Sequence, residues 1–173
     1  ANEHAVIWVR VPHIPAGSPY DYIIMGWGDV EAPYRYRNCP RMVFANQNAF
    51  KGAWHLGEDL ADKSGNGFDG TNNGTTLEEN GKIGQARSFN NTSITAGDLD
   101  IAGNLLTMSC WAKPEFEQTE EQWRMIIDKV HDESGNKSGY RMVFNKGVDN
   151  YRFRTHTPGG EVNCDNTESW VSN

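Results

Sequence analysis

Between Asp62 and Gly84 the chain carries a density of turn signals that few folds tolerate. Asn66-Gly67, Asp69-Gly70, Asn73-Gly74 and Asn80-Gly81 each join a residue that tolerates the left-handed region to a glycine that enters it freely. The backbone therefore reverses several times here, as suits an all-β protein with many turns. The flanking segments agree. Ala86-Arg87-Ser88-Phe89 and Ser93-Ile94-Thr95-Ala96 are short β-type runs. Leu105 to Lys113 alternates, with Leu106, Met108, Cys110 and Ala112 on one face and Thr107, Ser109, Trp111 and Lys113 on the other. The first face is predicted to be core, which makes Cys110 a small buried hydrophobe. Trp123 to Val130, Tyr140 to Phe144 and Tyr151 to Thr155 also read as strands, the last with Arg152 and Arg154 pointing outward.

The 173 residues suffice for one sizeable core and a small accessory unit. A formal charge of -7 with no stripe of Lys and Arg excludes nucleic acid as a partner. No apolar run approaches the roughly 20 residues that cross a bilayer, so no membrane span is predicted. The first residues show no basic-then-apolar signal pattern, which is expected if a signal was removed or the chain is an internal piece. The three cysteines, Cys39, Cys110 and Cys164, have no metal-ligand spacing. Cys39 and Cys164 lie in polar, turn-like surroundings compatible with a bridge in an oxidising compartment, a pairing that sequence leaves open.

Taken in order, Ala53-Trp54-His55-Leu56, the turn run Asp62 to Thr71, Gly81 to Phe89 and the Trp111 segment resemble the opening half of a laminin-G-like, concanavalin A-type jelly roll. The resemblance implies an all-β antiparallel β-sandwich over residues 49–173. Phe50 to Leu56 would be its first strand, with Trp54 packed and His55 near the strand end. A further strand would begin at Trp170, and the C-terminal strands would be missing. Trp8 to Gly17 and Ile24 to Asp29 resemble the end of a small β domain of unknown function that often precedes such jelly rolls in envelope proteins. Residues 1–48 are then its remnant, with strands at Ala5 to Val11 and Tyr20 to Trp27, plus a connecting segment. That segment holds Arg35, Arg37 and Arg41, read either as solvated linker arginines or as a contact to anionic glycan.

Jelly rolls serve as lectins, adhesins, enzyme appendages and spacers, so function must be sought in sites. Asp62, Asn66 and Asp69 offer the oxygen ligands that calcium takes, and a structural calcium in a comparable loop is what the resemblance implies. The same residues read equally as turn residues bonding their own backbone. Trp111 is the candidate ligand-binding residue, stacking on a sugar ring or packing under a loop. Asp132, Ser134, Asn136 and Ser138 repeat oxygens as a calcium loop does, but without its glycine and closing glutamate, so a hairpin loop is predicted. Glu58-Asp59 are adjacent, and Glu115 and Glu117 follow Pro114 in a loop. Neither makes the carboxylate pair of a glycosidase, and no catalytic residue is assigned. The expected role is a non-catalytic carbohydrate-binding or adhesion module of a larger secreted or cell-surface protein, with a polysaccharide or glycoconjugate as partner. The alternatives are a subunit of a surface filament or layer that borrows strands from neighbouring surface-protein subunits, and an accessory domain of a glycan-degrading enzyme. Sequons at Asn73, Asn90, Asn91 and Asn136 add weak support for export.

Overall fold

The computed structural model describes residues 7–11, 13–14, 16–17, 22, 43–45, 49–101, 103, 105–115, 123–134, 136–145, 150–157 and 160–165. Its regular structure is β throughout apart from a helical step at Val43–Phe44, and every ladder is antiparallel. The chain divides into two compact units, Ala1–Asp100 and Ile101–Asn173, and the division falls inside the 49–173 stretch. Tyr20 to Trp27 apart from Tyr22, the three linker arginines, Cys39 and Trp170 lie outside the described residues.

In the first unit, β1 (Thr71–Asn73) pairs with β4 (Ser93–Thr95), and β2 (Thr76–Glu78) pairs with β3 (Ala86–Ser88). The two ladders are the two ends of one long hairpin. They are interrupted where Gly74-Thr75 on one side face Phe89-Asn90-Asn91-Thr92 on the other. Asn72 organises the break: its Oδ1 accepts from the N–H and hydroxyl of Thr75 at 2.8 and 2.7 Å, its Nδ2 donates to the Thr75 carbonyl, and Gly74 turns at φ 95°. β3 and β4 coincide with the runs predicted around them, whereas β1 and β2 fall in the stretch read only as turns. Arg87 on β3 donates to the carbonyls of Gly57 and Glu58, tying the hairpin to the segment before it.

Two expectations are corrected here. Phe50 to Leu56 and Ile7 to Val11 form no ladder among the described residues. Leu56 sits at φ 57°, a backbone region that a branched residue enters only when its surroundings enforce it. Such a residue ends any extended run. The stretch is held instead by side chains: Trp8 stacks on His55 at 5.7 Å, and Phe44 meets Trp8, Phe50 and His55 edge-on at 5.3 to 5.4 Å. His55 thus sits against aromatic rings rather than near the end of a strand.

The second unit is a four-stranded meander, β5 (Trp123–Glu133), β6 (Asn136–Asn145), β7 (Asn150–Thr157) and β8 (Gly160–Asp165), paired in that order. The oxygen-rich stretch around Asp132 is a hairpin, as predicted, with most of its residues in the ladder: Asp132 opposes Lys137 and His131 opposes Ser138. Ser134, at φ 53°, makes the turn. β8 had no sequence counterpart, because Glu161 and Asn163 are polar residues that strand propensity disfavours.

Register partners project on the same side of a sheet. One face therefore carries Tyr140, Met142 and Phe144 with Tyr151 and Phe153: Tyr140 and Phe144 are buried, and the Phe144 and Tyr151 rings meet at 5.2 Å, while the still more buried Val143 lies on the other face. Each such burial contributes roughly 1.5–3 kcal/mol. The Leu105 to Lys113 segment touches this sheet through Cys110, whose Sγ lies 3.7 Å from Met142 Sδ. Leu106 and Met108 are half-buried as the alternation requires, but the segment forms no ladder among the described residues. Cys110 and Ala112 are exposed rather than core.

Candidate functional site

Asp62 is the knot of the turn region. Its carboxylate is buried and accepts four hydrogen bonds: Oδ1 from the N–H of Ala53 at 3.0 Å and of Ser64 at 2.9 Å, Oδ2 from the Ser64 hydroxyl at 2.7 Å and the Phe68 N–H at 3.3 Å. Asp69 Oδ1 accepts from the N–H of Asp62 at 2.8 Å. Asn66 turns its amide nitrogen to the carbonyls of Phe50 and Lys51, both at 3.1 Å, and to Ser64 Oγ. Trp54 Nε1 donates to the Phe68 carbonyl at 2.7 Å, closing the other side. The three residues singled out as oxygen ligands are thus brought together, with Asp62 and Asp69 oxygens facing backbone N–H groups. Among the described residues no three His, Cys, Asp or Glu side chains converge as a metal-holding group.

Burial alone would raise the Asp62 carboxyl. The Ser64 hydroxyl and N–H, with the N–H groups of Ala53 and Phe68, more than offset it and hold the group below the ordinary carboxylate value. A depressed folded-state pKa contributes stability above the unfolded value of about 3.9, lost as pH falls through the folded value. Acid unfolding of the wild-type chain below about pH 4 should therefore flatten in Asp62→Asn, as followed by far-UV circular dichroism against pH.

Trp111 is 70% exposed, on the segment that Cys110 joins to Met142 of the second unit's sheet. On the opposite, polar face of that sheet lies a cluster that sequence reading did not assemble. A β-bulge between Met125 and Ile127 resets the alternation of β5, so Trp123 and Asp128, which strict alternation would separate, share this face with Arg141, Arg152, Arg154, His156 and Glu161. The Arg154 and Arg152 guanidinium carbons lie 4.3 and 5.1 Å from the Trp123 ring centroid. Those residues belong to β7, two strands from β5, so the indole reaches across β6, where Val143 is 1% exposed on the same face. Arg141 pairs with Asp128 at 3.1 Å and Arg154 Nε with Glu161 at 3.4 Å. The Asn163 side chain, with the charges of Arg154, His156 and Arg152, depresses the Glu161 carboxyl. The outward arginines of β7 were the one legible signal; their convergence on Trp123 depends on the bulge and on β8.

Cys164 on β8 is a free, exposed thiol, and its proposed partner Cys39 lies outside the described residues. Comparison with protein-family models, with curated proteins and with solved structures returns no match.

Proposed function

We propose that this chain is a non-catalytic carbohydrate-binding or adhesion module, built as an antiparallel β-sandwich of jelly-roll type and belonging to a secreted or cell-surface protein. The observation that carries the reading is Trp111: an indole 70% exposed presents a flat apolar face of the kind on which sugar C–H faces stack. The all-β, antiparallel architecture is compatible with it, since such folds commonly carry recognition sites. Trp111→Ala is expected to weaken saccharide binding about tenfold with the fold intact. Titration followed by intrinsic fluorescence reads this, and unchanged affinity would remove Trp111 from the contact.

Calcium at the Asp62 loop belongs to the same proposal only as a stiffening ion. The carboxylate already receives four protein donors, so the loop is expected to keep its shape without one. Binding measured with calcium and with chelator should agree, and a chelator-sensitive affinity would place an ion in the loop after all.

A structural role by strand complementation is the second reading. It is favoured by the 105–115 segment, whose alternating burial at Leu106 and Met108 has the pattern of a strand without a ladder among the described residues. Self-association that grows with concentration in sedimentation, without saccharide binding, would put this reading first.

A further inference from the structure

Four asparagines stand two residues before a Ser or Thr, and the fold treats them differently. Asn73 ends β1, paired with Ser93, and its amide nitrogen donates to Ser93 Oγ and Thr95 Oγ1 at 3.4 and 3.3 Å. Its hydroxyl partner Thr75 is 5% exposed and donates to Asn72 Oδ1 at 2.7 Å. Both ends of that triplet are engaged. Asn136 opens the β6 ladder opposite Glu133, and Ser138 is paired with His131, so that triplet runs inside regular strand. Asn91 precedes Ser93, which is held in β4 and accepts from Asn73.

Asn90-Asn91-Thr92 is the exception. It lies in the break between the two ladders of the long hairpin, and none of its residues is in a strand. Asn90 is exposed, and its side-chain amide makes no hydrogen bond among the described residues. Asn91, at φ 53°, turns the chain so that the Asn90 N–H reaches Thr92 Oγ1 at 3.2 Å on the surface. A hydroxyl that accepts there keeps its own proton to donate. The break therefore presents an unengaged amide and a hydroxyl together, the two groups that N-glycosylation of such a triplet requires. Phe89, the residue before, is 51% exposed, an apolar surface that the C–H face of an attached sugar can cover.

We propose that Asn90 is an N-glycosylation acceptor that takes its glycan from a polyprenyl-diphosphate-linked oligosaccharide. In the transfer, Asn90 Nδ2 bonds to the anomeric carbon of the first sugar and gives up one proton. The bond from that carbon to the diphosphate oxygen breaks, and the lipid diphosphate leaves. The proposal rests on the secreted or cell-surface part of the reading above and is independent of Trp111.

The test presents the folded full chain to a single-subunit oligosaccharyltransferase that needs no acidic residue ahead of its acceptor, with the lipid-linked oligosaccharide as donor. Peptide mass spectrometry locates the glycan, and synthetic peptides around each triplet serve as unfolded references. The peptides are expected to accept at Asn73, Asn90 and Asn136 alike. In the folded chain Asn90 should be modified at least about tenfold faster than Asn73 or Asn136, because strand-bound triplets are reached only when their ladders open. Asn90→Gln should abolish the modification, and so should Thr92→Val, which keeps the branched shape and removes the hydroxyl. Modification of the folded chain first at Asn73, Asn91 or Asn136, or at no asparagine, overturns the site and leaves saccharide binding at Trp111 standing. A glycan on Asn90 in a chain that binds no saccharide supports the site and removes the binding.

Discussion

Asp62→Ala should cost the chain at least about 3 kcal/mol, because it strips four donors of their acceptor at once. The N–H groups of Ala53, Ser64 and Phe68 come from three separate places along the chain, and the carboxylate gathers all three at one point. The loss is therefore of loop geometry as well as of hydrogen bonds. The backbone bonds that bracket it, Lys63 N–H to the Ala53 carbonyl and Gly70 N–H to the Leu60 carbonyl, both 2.8 Å, are expected to fray with it. Hydrogen exchange by mass spectrometry should show protection lost over residues 50–70 and kept in β5 to β8. Asp62→Asn should fall between, since an amide oxygen retains one pair of donors while its NH₂ group opposes the other. A change of under about 1 kcal/mol in Asp62→Ala would mean that the loop is held by its backbone alone.

Gly139→Ala is the second large effect, for a different reason. Asp62 acts through hydrogen bonds, whereas Gly139 acts by leaving room. At φ 120° an alanine is strained wherever it stands, and here its methyl group would also meet the backbone of Lys129 on the neighbouring strand. Backbone cannot yield as a flexible side chain does. The β5–β6 hairpin must shift its register or open, at a cost of about 3 kcal/mol or more, or roughly 10 °C in Tm. Because Tyr140, Val143 and Phe144 are the buried residues of the same strand, the damage should spread into the core. Differential scanning calorimetry checks it, and a Tm within about 2 °C of wild type would show that Gly139 does not hold the conformation described.

The parts of this fold that were legible in the sequence are those where local pattern and tertiary outcome coincide. Met125-Ile126-Ile127, Tyr140 to Phe144 and Tyr151 to Thr155 are rich in β-branched and aromatic residues, and each lies in a strand of the meander. Elsewhere long-range contacts override pattern. Leu105 to Lys113 alternates as a strand should, yet alternation sets only which side chains turn inward; a ladder also needs a partner backbone, which no local pattern encodes. Phe50 to Leu56 is apolar enough for a strand, but its backbone is captured by Asp62 and Lys63 instead. Thr71 to Asn73 pairs despite poor propensity because Ser93 to Thr95 returns beside it. In the candidate site the turn chemistry of Asp62 and Asp69 was readable from spacing. The meeting of Trp123 with Arg152 and Arg154 was not, since it depends on one bulge residue in β5 that shifts the faces.

The most direct test of the proposed role is binding of the folded wild-type chain to immobilised neutral and acidic polysaccharides, run in parallel with calcium and with chelator. Saturable binding to a polysaccharide, equal in both conditions, is the outcome that stacking on Trp111 predicts. The absence of binding under either condition, in a sample shown to be folded by circular dichroism, would contradict the carbohydrate-binding reading and leave strand complementation in its place.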